Sequence, residues 1–185
     1  SSVQNGDDFF KFLGIKFWYD GSPYTGTMYM EDHYMDNELT NHRLHFPHSH
    51  SGTPLLVDDE FKTAIKDYEG AGWQIAVHTQ GDQAIHDVLG IFESAGRSDR
   101  LLRHRLEHCL MLNKENILKM KQYNIHPSFH INHIYYYGDA LALSIIGQSR
   151  TQSILPIQNA ENNGLIYSLH ADQPMFESNP IHLIH

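Results

Sequence analysis

The stretch WQIAVHTQGDQAIHDVL, residues 73–89, changes its hydrophobic period once, at Gly81-Asp82. Before that point Trp73 to Thr79 is a short apolar, β-branched run closed by polar residues, the pattern of a strand. After it, Ile85, Val88, Leu89 and Phe92 recur at helical spacing, and Gly96 supplies a stop. Upstream, a helix starting at Asp58 or Asp59 carries Phe61, Ile65 and Tyr68 and ends at Gly70–Gly72. Before that helix, GIKFWYDG (Gly14 to Gly21) reads as another strand. Downstream, RHRLEHC (Arg103 to Cys109) is a third strand, and Asn113 starts a helix carrying Ile117 and Leu118. IHPSFH (Ile125 to His130) is the fourth, a helical stretch lies around Ala140 to Ile146, and GLIYSLHAD (Gly164 to Asp172) is the fifth. Strands alternating with helices are the signature of βαβ units, so the fold class is α/β on a parallel sheet. One irregular stretch is long, Ser22 to Leu56, and a loop of that length predicts a functional segment or a lid.

Composition narrows the functional classes. The chain has 185 residues and 21.3 kDa, with 41% hydrophobic residues, which suits a packed core. No apolar run reaches the ~18 residues of a membrane span. The polar, acidic start SSVQNGDDFF has no signal-peptide pattern, and a cytoplasmic location is expected. A net charge of −9, from 22 acids against 13 bases, predicts no nucleic-acid partner. The single cysteine, Cys109, excludes a disulfide framework and a cysteine-rich zinc cluster. No G-x-S-x-G elbow or Walker loop occurs. The 15 histidines outnumber Lys and Arg together and direct attention to metal chemistry.

Those histidines fall at informative places. Lys16 lies inside the first strand and Asp20 at its end; the second strand ends in His78, the third in His108, the fifth in His170 and Asp172. Ligands of parallel α/β folds bind at this C-terminal strand edge. Any one such histidine also reads as a buried imidazole bonded to a carbonyl. Three strand ends bearing His, His and Asp instead match the ligands of catalytic zinc. Thirty residues separate His78 from His108 and sixty-four separate His108 from Asp172, so each ligand sits on its own strand. Asp82 reads as a helix N-cap. His133 and His170 are candidates for substrate contact or packing, and Tyr136, Tyr137 and Asp139 for shaping a pocket loop. Met111, Met120 and Phe92 read as core. His48-Ser49-His50, with His42 and His45, reads as a loop feature and adventitious metal binder.

The strings GIKFWYDGSPYTGT, WQIAVHTQGDQAIHDVL, RHRLEHC, HPSFHINHIYYYGDAL and SLHADQPMFESNPI together resemble the amidohydrolase superfamily. The resemblance runs in order from Gly14 to Ile181 and is nearest to the amidohydrolase-3 group, which includes N-substituted formamide deformylase and the exoenzyme regulatory protein AepA. It implies a TIM (β/α)8 barrel, of which residues 1–185 form a single fragment carrying roughly strands four to eight, without the N-terminal strands and β-sandwich. It implies that Lys16 matches a strand-four lysine that can be carboxylated and bridge metals. His78 and His108 then match the strand-five and strand-six ligands. Asp172 matches the strand-eight aspartate, both metal ligand and catalytic proton acceptor; His133, Tyr137 and His170 are substrate-binding candidates. The implied cofactor is zinc, one or two divalent ions. The implied activity is hydrolysis of the C–N bond of a small-molecule, non-peptide amide. The family's own H-x-H pair belongs before the Lys16 strand, so residues 1–185 alone are expected to be inactive. Their open sheet edges are expected to pair with the missing strands or another copy of the chain. A regulatory or binding protein on the same fold is the alternative, and a histidine-rich metal-storage domain a third reading.

Overall fold

Five short apolar runs become five parallel strands, because each is followed by a helix that returns the chain across one face of the sheet. A computed structural model describes residues 6–96 and 102–184. The strands are β1 Gly14–Trp18, β2 Gln74–Thr79, β3 Arg105–His108, β4 His126–His130 and β5 Ser168–His170. All neighbours are parallel and lie in chain order, β1-β2-β3-β4-β5, as in one arc of a (β/α)8 barrel.

The helices are α1 Asp58–Gly70, α2 Asp82–Ser94, α3 Lys114–Tyr123, α4 Asn132–Ala140, α5 Gln148–Thr151, α6 Ile157–Asn162 and α7 Pro180–Ile184. Asp58, Asp59 and Glu60 occupy the first turn of α1, where the helix dipole favours carboxylates. The Asn113 side chain caps α3 by accepting from Asn116 N–H at 2.9 Å. Ile75, Val77, Leu106 and Phe129 point from the sheet into the layer of Phe61, Ile65, Ile85, Val88, Leu89, Phe92, Ile117 and Met120. Leu118, one residue beyond Ile117, is half exposed and outside that core.

The opposite sheet face is polar. Strand alternation and the register Trp18↔His78↔Glu107↔Ser128↔Ser168 put these residues in one row across it. On β1 the exposed residues are Gly14, Lys16 and Trp18, those of this inner face. Among the described residues no helix is long and apolar enough to cross a membrane.

Three expectations need correction. Residues 22–56 do not form a lid: Met28, Met30, Tyr34 and Phe46 are buried in the core. The segment is tied down by Met30 N–H to Ser51 O (2.8 Å), Tyr34 N–H to His50 O (2.7 Å) and Met35 N–H to Ile145 O (2.9 Å). Tyr136, Tyr137 and Asp139, read as part of a pocket loop, lie on α4, and Leu141–Ile145, within the stretch read as helical, continues it as a π-helical turn. Asp82 is the first residue of α2 and not its cap, which is Gly81. Its carboxylate instead accepts from Glu31 N–H at 3.1 Å and pins the long segment to the helix. Gly81 is required there: a Cβ would lie 1.8 Å from the carbonyl oxygen of Tyr29.

Candidate metal centre

The polar residues that end the strands converge at the C-terminal edge of the sheet. The His78 and His108 ring centroids are 4.2 Å apart, and those of His108 and His170 are 5.1 Å apart. His130, at the end of β4, lies 5.7 Å from His108 and 5.2 Å from His170. His133 on α4 follows at 4.2 Å from His130. His108, His170 and Asp172 each offer a ligand atom, and these atoms lie within 4.8 Å of one another.

His108 reaches this group against the strand pattern. Glu107 shares the inner face with His78, so the next residue belongs to the helix side. Its φ of 73°, followed by 50° at Cys109, breaks the strand there, and the ring joins the inner cluster. A left-handed backbone at a non-glycine residue costs on the order of 1–3 kcal/mol, which the surrounding packing must offset. Asp172 has the same backbone form, at φ 54°.

The electrostatics favour neutral imidazoles. Burial pushes His108 far below the ordinary histidine range, and the nearby His78, His170, His130 and Lys16 charges add to the shift. Burial likewise lowers His130 to about 4 and His133 to about 3, and lowers His78 and His170. Neutral imidazole is the metal-binding form. Both ring nitrogens of His108, and Nε2 of His130, His133 and His170, are buried without a hydrogen-bond partner. An unsatisfied buried polar atom costs about 1–3 kcal/mol, so several in one place call for a shared electrophile. Imidazoles and a carboxylate are the donor set of zinc and similar divalent ions, and the residues present fit such an ion.

His78 stands at the side of the cluster. Its Nε2 lies 3.2 Å from the Gly21 carbonyl oxygen and 3.7 Å from Oδ1 of Asp20. A carbonyl only accepts, so Nε2 carries the proton and Nδ1 keeps the lone pair. Lys16 lies one inner-face position before Trp18, with Nζ over the Trp18 ring at 4.6 Å from its centroid. His170, read as a substrate contact, is among the ligand atoms brought together at His108. Tyr137 packs on Tyr24 at 4.4 Å, and the Tyr24 hydroxyl is hydrogen-bonded to Nδ1 of His133 at 2.6 Å. Tyr136 stacks on Phe176 at 4.7 Å, and Phe176 meets His130 at 5.4 Å, forming an aromatic wall beside the cluster. Asp139 is exposed.

Two residues were missed by sequence reasoning. His130 ends its strand as His78 does, so the same rule would have found it. Asp20 was visible at a strand end, but its fully buried carboxylate is a hub that only the fold reveals. Burial pushes that carboxyl up to about 7, against the pull of three backbone N–H donors, from Gly81, Gln80 and Tyr29. The loop histidines do not assemble: His42 and His45 are exposed, His48 pairs with Asp36 at 3.3 Å, and His50 bonds the Gly26 carbonyl.

Comparison with known proteins agrees with this architecture. An uncharacterized metal-dependent hydrolase from Pyrococcus furiosus superposes with a TM-score of 0.80 at 21% identity, over 98% of this chain and 35% of its own. A second, from Pyrococcus horikoshii OT3, gives 0.78 at 18% identity, over 98% and 34%. Protein LONG AFTER FAR-RED 3 of Arabidopsis thaliana is 24% identical over 173 residues, 92% of this chain and 28% of that protein. The chain therefore spans about a third of the length of the proteins it matches. A sequence model of the amidohydrolase family covers residues 1–185, and the chain belongs to that family.

Proposed function

We propose that the intact protein carrying this chain is a metal-dependent hydrolase that cleaves the C–N bond of a small, non-peptide amide. The observation that carries this reading is the His108 ring, buried with both nitrogens unpartnered and grouped with His170 and Asp172. In this reading His78, His108 and Asp172 hold one or two divalent ions, zinc first among them. Lys16, once carboxylated, is the further ligand, and that requires its amine to leave the Trp18 face. A bound divalent ion acidifies water to a pKa of about 7 and polarises a carbonyl.

The chain's own residues supply the rest. Asp172, exposed at the rim of the cluster, accepts the proton of the attacking water and returns it to the leaving nitrogen. The buried His130 and the half-buried His170, both held neutral, line the space beside it and limit the access of bulk water. His133 and Tyr137, coupled through Tyr24, orient the substrate from the α4 side. The remaining barrel strands and metal ligands come from outside residues 1–185, so this segment alone is inactive.

Metal analysis of the full-length protein tests the reading. One or two equivalents of zinc, lost on His108→Ala, support it. A full-length protein that binds no divalent metal is a binding module on the same fold. An isolated 185-residue segment that hydrolyses an amide as fast as its parent refutes the division of ligands.

A further inference from the structure

Asp20 is fully buried, yet it contacts no cation in the conventional sense of a salt bridge with Lys or Arg among the described residues. Its oxygens instead collect backbone donors. Oδ1 accepts from Gln80 N–H at 2.9 Å, and Oδ2 accepts from Gly81 N–H at 2.9 Å and Tyr29 N–H at 3.1 Å. Oδ1 also lies 3.7 Å from His78 Nε2, the nitrogen that faces the carbonyl of the adjoining Gly21 at 3.2 Å. The strands on either side are locked by Tyr19 N–H to His78 O at 3.1 Å. One carboxylate thus joins the end of β1, beside His78, to the β2–α2 turn and to the long segment at Tyr29.

Three N–H donors require three lone pairs, which the two oxygens of the Asp20 side chain supply and the single oxygen of an amide does not. The Gly21 carbonyl oxygen and Oδ1 of Asp20, both acceptors facing Nε2, favour the ring form with its N–H on that side. We propose that Asp20 is a positioning residue of the centre: it builds the β1–β2 corner that holds His78 as its Nε2–H form, leaving Nδ1 for a cation. The inference rests on the reading of His78 as a ligand, and it concerns a residue that need not touch the metal.

Asp20→Asn keeps the shape but turns one donor against another in either amide orientation: toward Gly81 and Tyr29, or toward Gln80 and His78. The experiment uses full-length protein, long-range ¹⁵N spectra of labelled histidines without metal, and Co(II) titration followed by visible absorption. His78 is assigned by its loss in His78→Ala. Wild-type protein is expected to show His78 protonated on Nε2, and Asp20→Asn a mixture of the two ring forms. Co(II) affinity is expected to fall about 10–100-fold in Asp20→Asn, the size typical of outer-shell partners. In the His78→Ala background the same change is expected to cost nothing further, since its effect runs through that ring.

A wild-type His78 protonated on Nδ1 overturns the proposal. So does an equal loss of affinity from Asp20→Asn with and without His78, which marks a general scaffold role. Asp20→Ser, which keeps one acceptor, replaces Asp20→Asn if the latter does not fold. Wild-type protein that binds no Co(II) refutes the metal reading, while the ring forms of His78 in wild type and variant still decide the role of Asp20.

Discussion

Histidine is used in opposite ways at residues 42–50 and at the strand ends. In the first region His42, His45 and His48 are exposed, and His48 and His50 each have their own partner, Asp36 and the Gly26 carbonyl. In the second, His108 and His130 are buried, their rings close together and five ring nitrogens, with those of His133 and His170, unpartnered. Sequence density points to the first region, where H-x-H even imitates a ligand pair. Burial, neutrality and unmet valence point to the second. A cluster of ligands is defined by what its atoms still lack, and a solvated or paired imidazole lacks nothing.

That contrast can be broken most directly at His108. His108→Ala is expected to lower divalent-metal affinity more than about 100-fold, beyond the loss typical of an outer-shell partner, as read by metal titration. Retained affinity would remove the strand-end cluster from the chemistry. The next effect is structural. Gly81→Ala drives a methyl group into the Tyr29 carbonyl and is expected to cost about 1–3 kcal/mol in denaturant unfolding. An unchanged midpoint would show that the corner beneath the cluster is not tightly packed.

A smaller effect is expected of Tyr24→Phe. It strips the partner from Nδ1 of His133 and leaves a buried nitrogen unsatisfied, a loss of about 1 kcal/mol in thermal or chemical unfolding. No loss would mean that His133 is held by packing alone. The smallest belongs to the loop. Changing His42, His45 and His48 together to alanine is expected to leave metal affinity within about twofold, as for surface sites away from any network. A large drop there would reverse the comparison between the two regions.

Much of the scaffold was legible because short apolar runs, closed by polar residues and followed by helical spacing, have few other solutions. His78 was legible as the residue that ends such a run, and His130 was equally available to that rule. His108 was found at a strand end, but its direction was not: alternation from Glu107 sends it to the helix side, and only the left-handed backbone brings it in. Helix α4 was hidden because NHIYYYGDA carries exposed aromatics where an amphipathic helix would show a polar face. Residues 22–56 looked like a lid because their apolar residues follow no period, although Met28, Met30, Tyr34 and Phe46 pack into the core.

The sequence by itself determined the order and direction of the strands, the apolar layer under the helices and the family to which the chain belongs. Those depend on periodicity and motif order, which are local and read in one dimension. The tertiary structure alone decided that His170 joins His108 and Asp172, that Lys16 rests on Trp18, and that Asp20 lies beneath His78. The reason is physical: ligand geometry and unmet hydrogen-bonding valence depend on angstrom-scale distances between strands that the chain visits far apart.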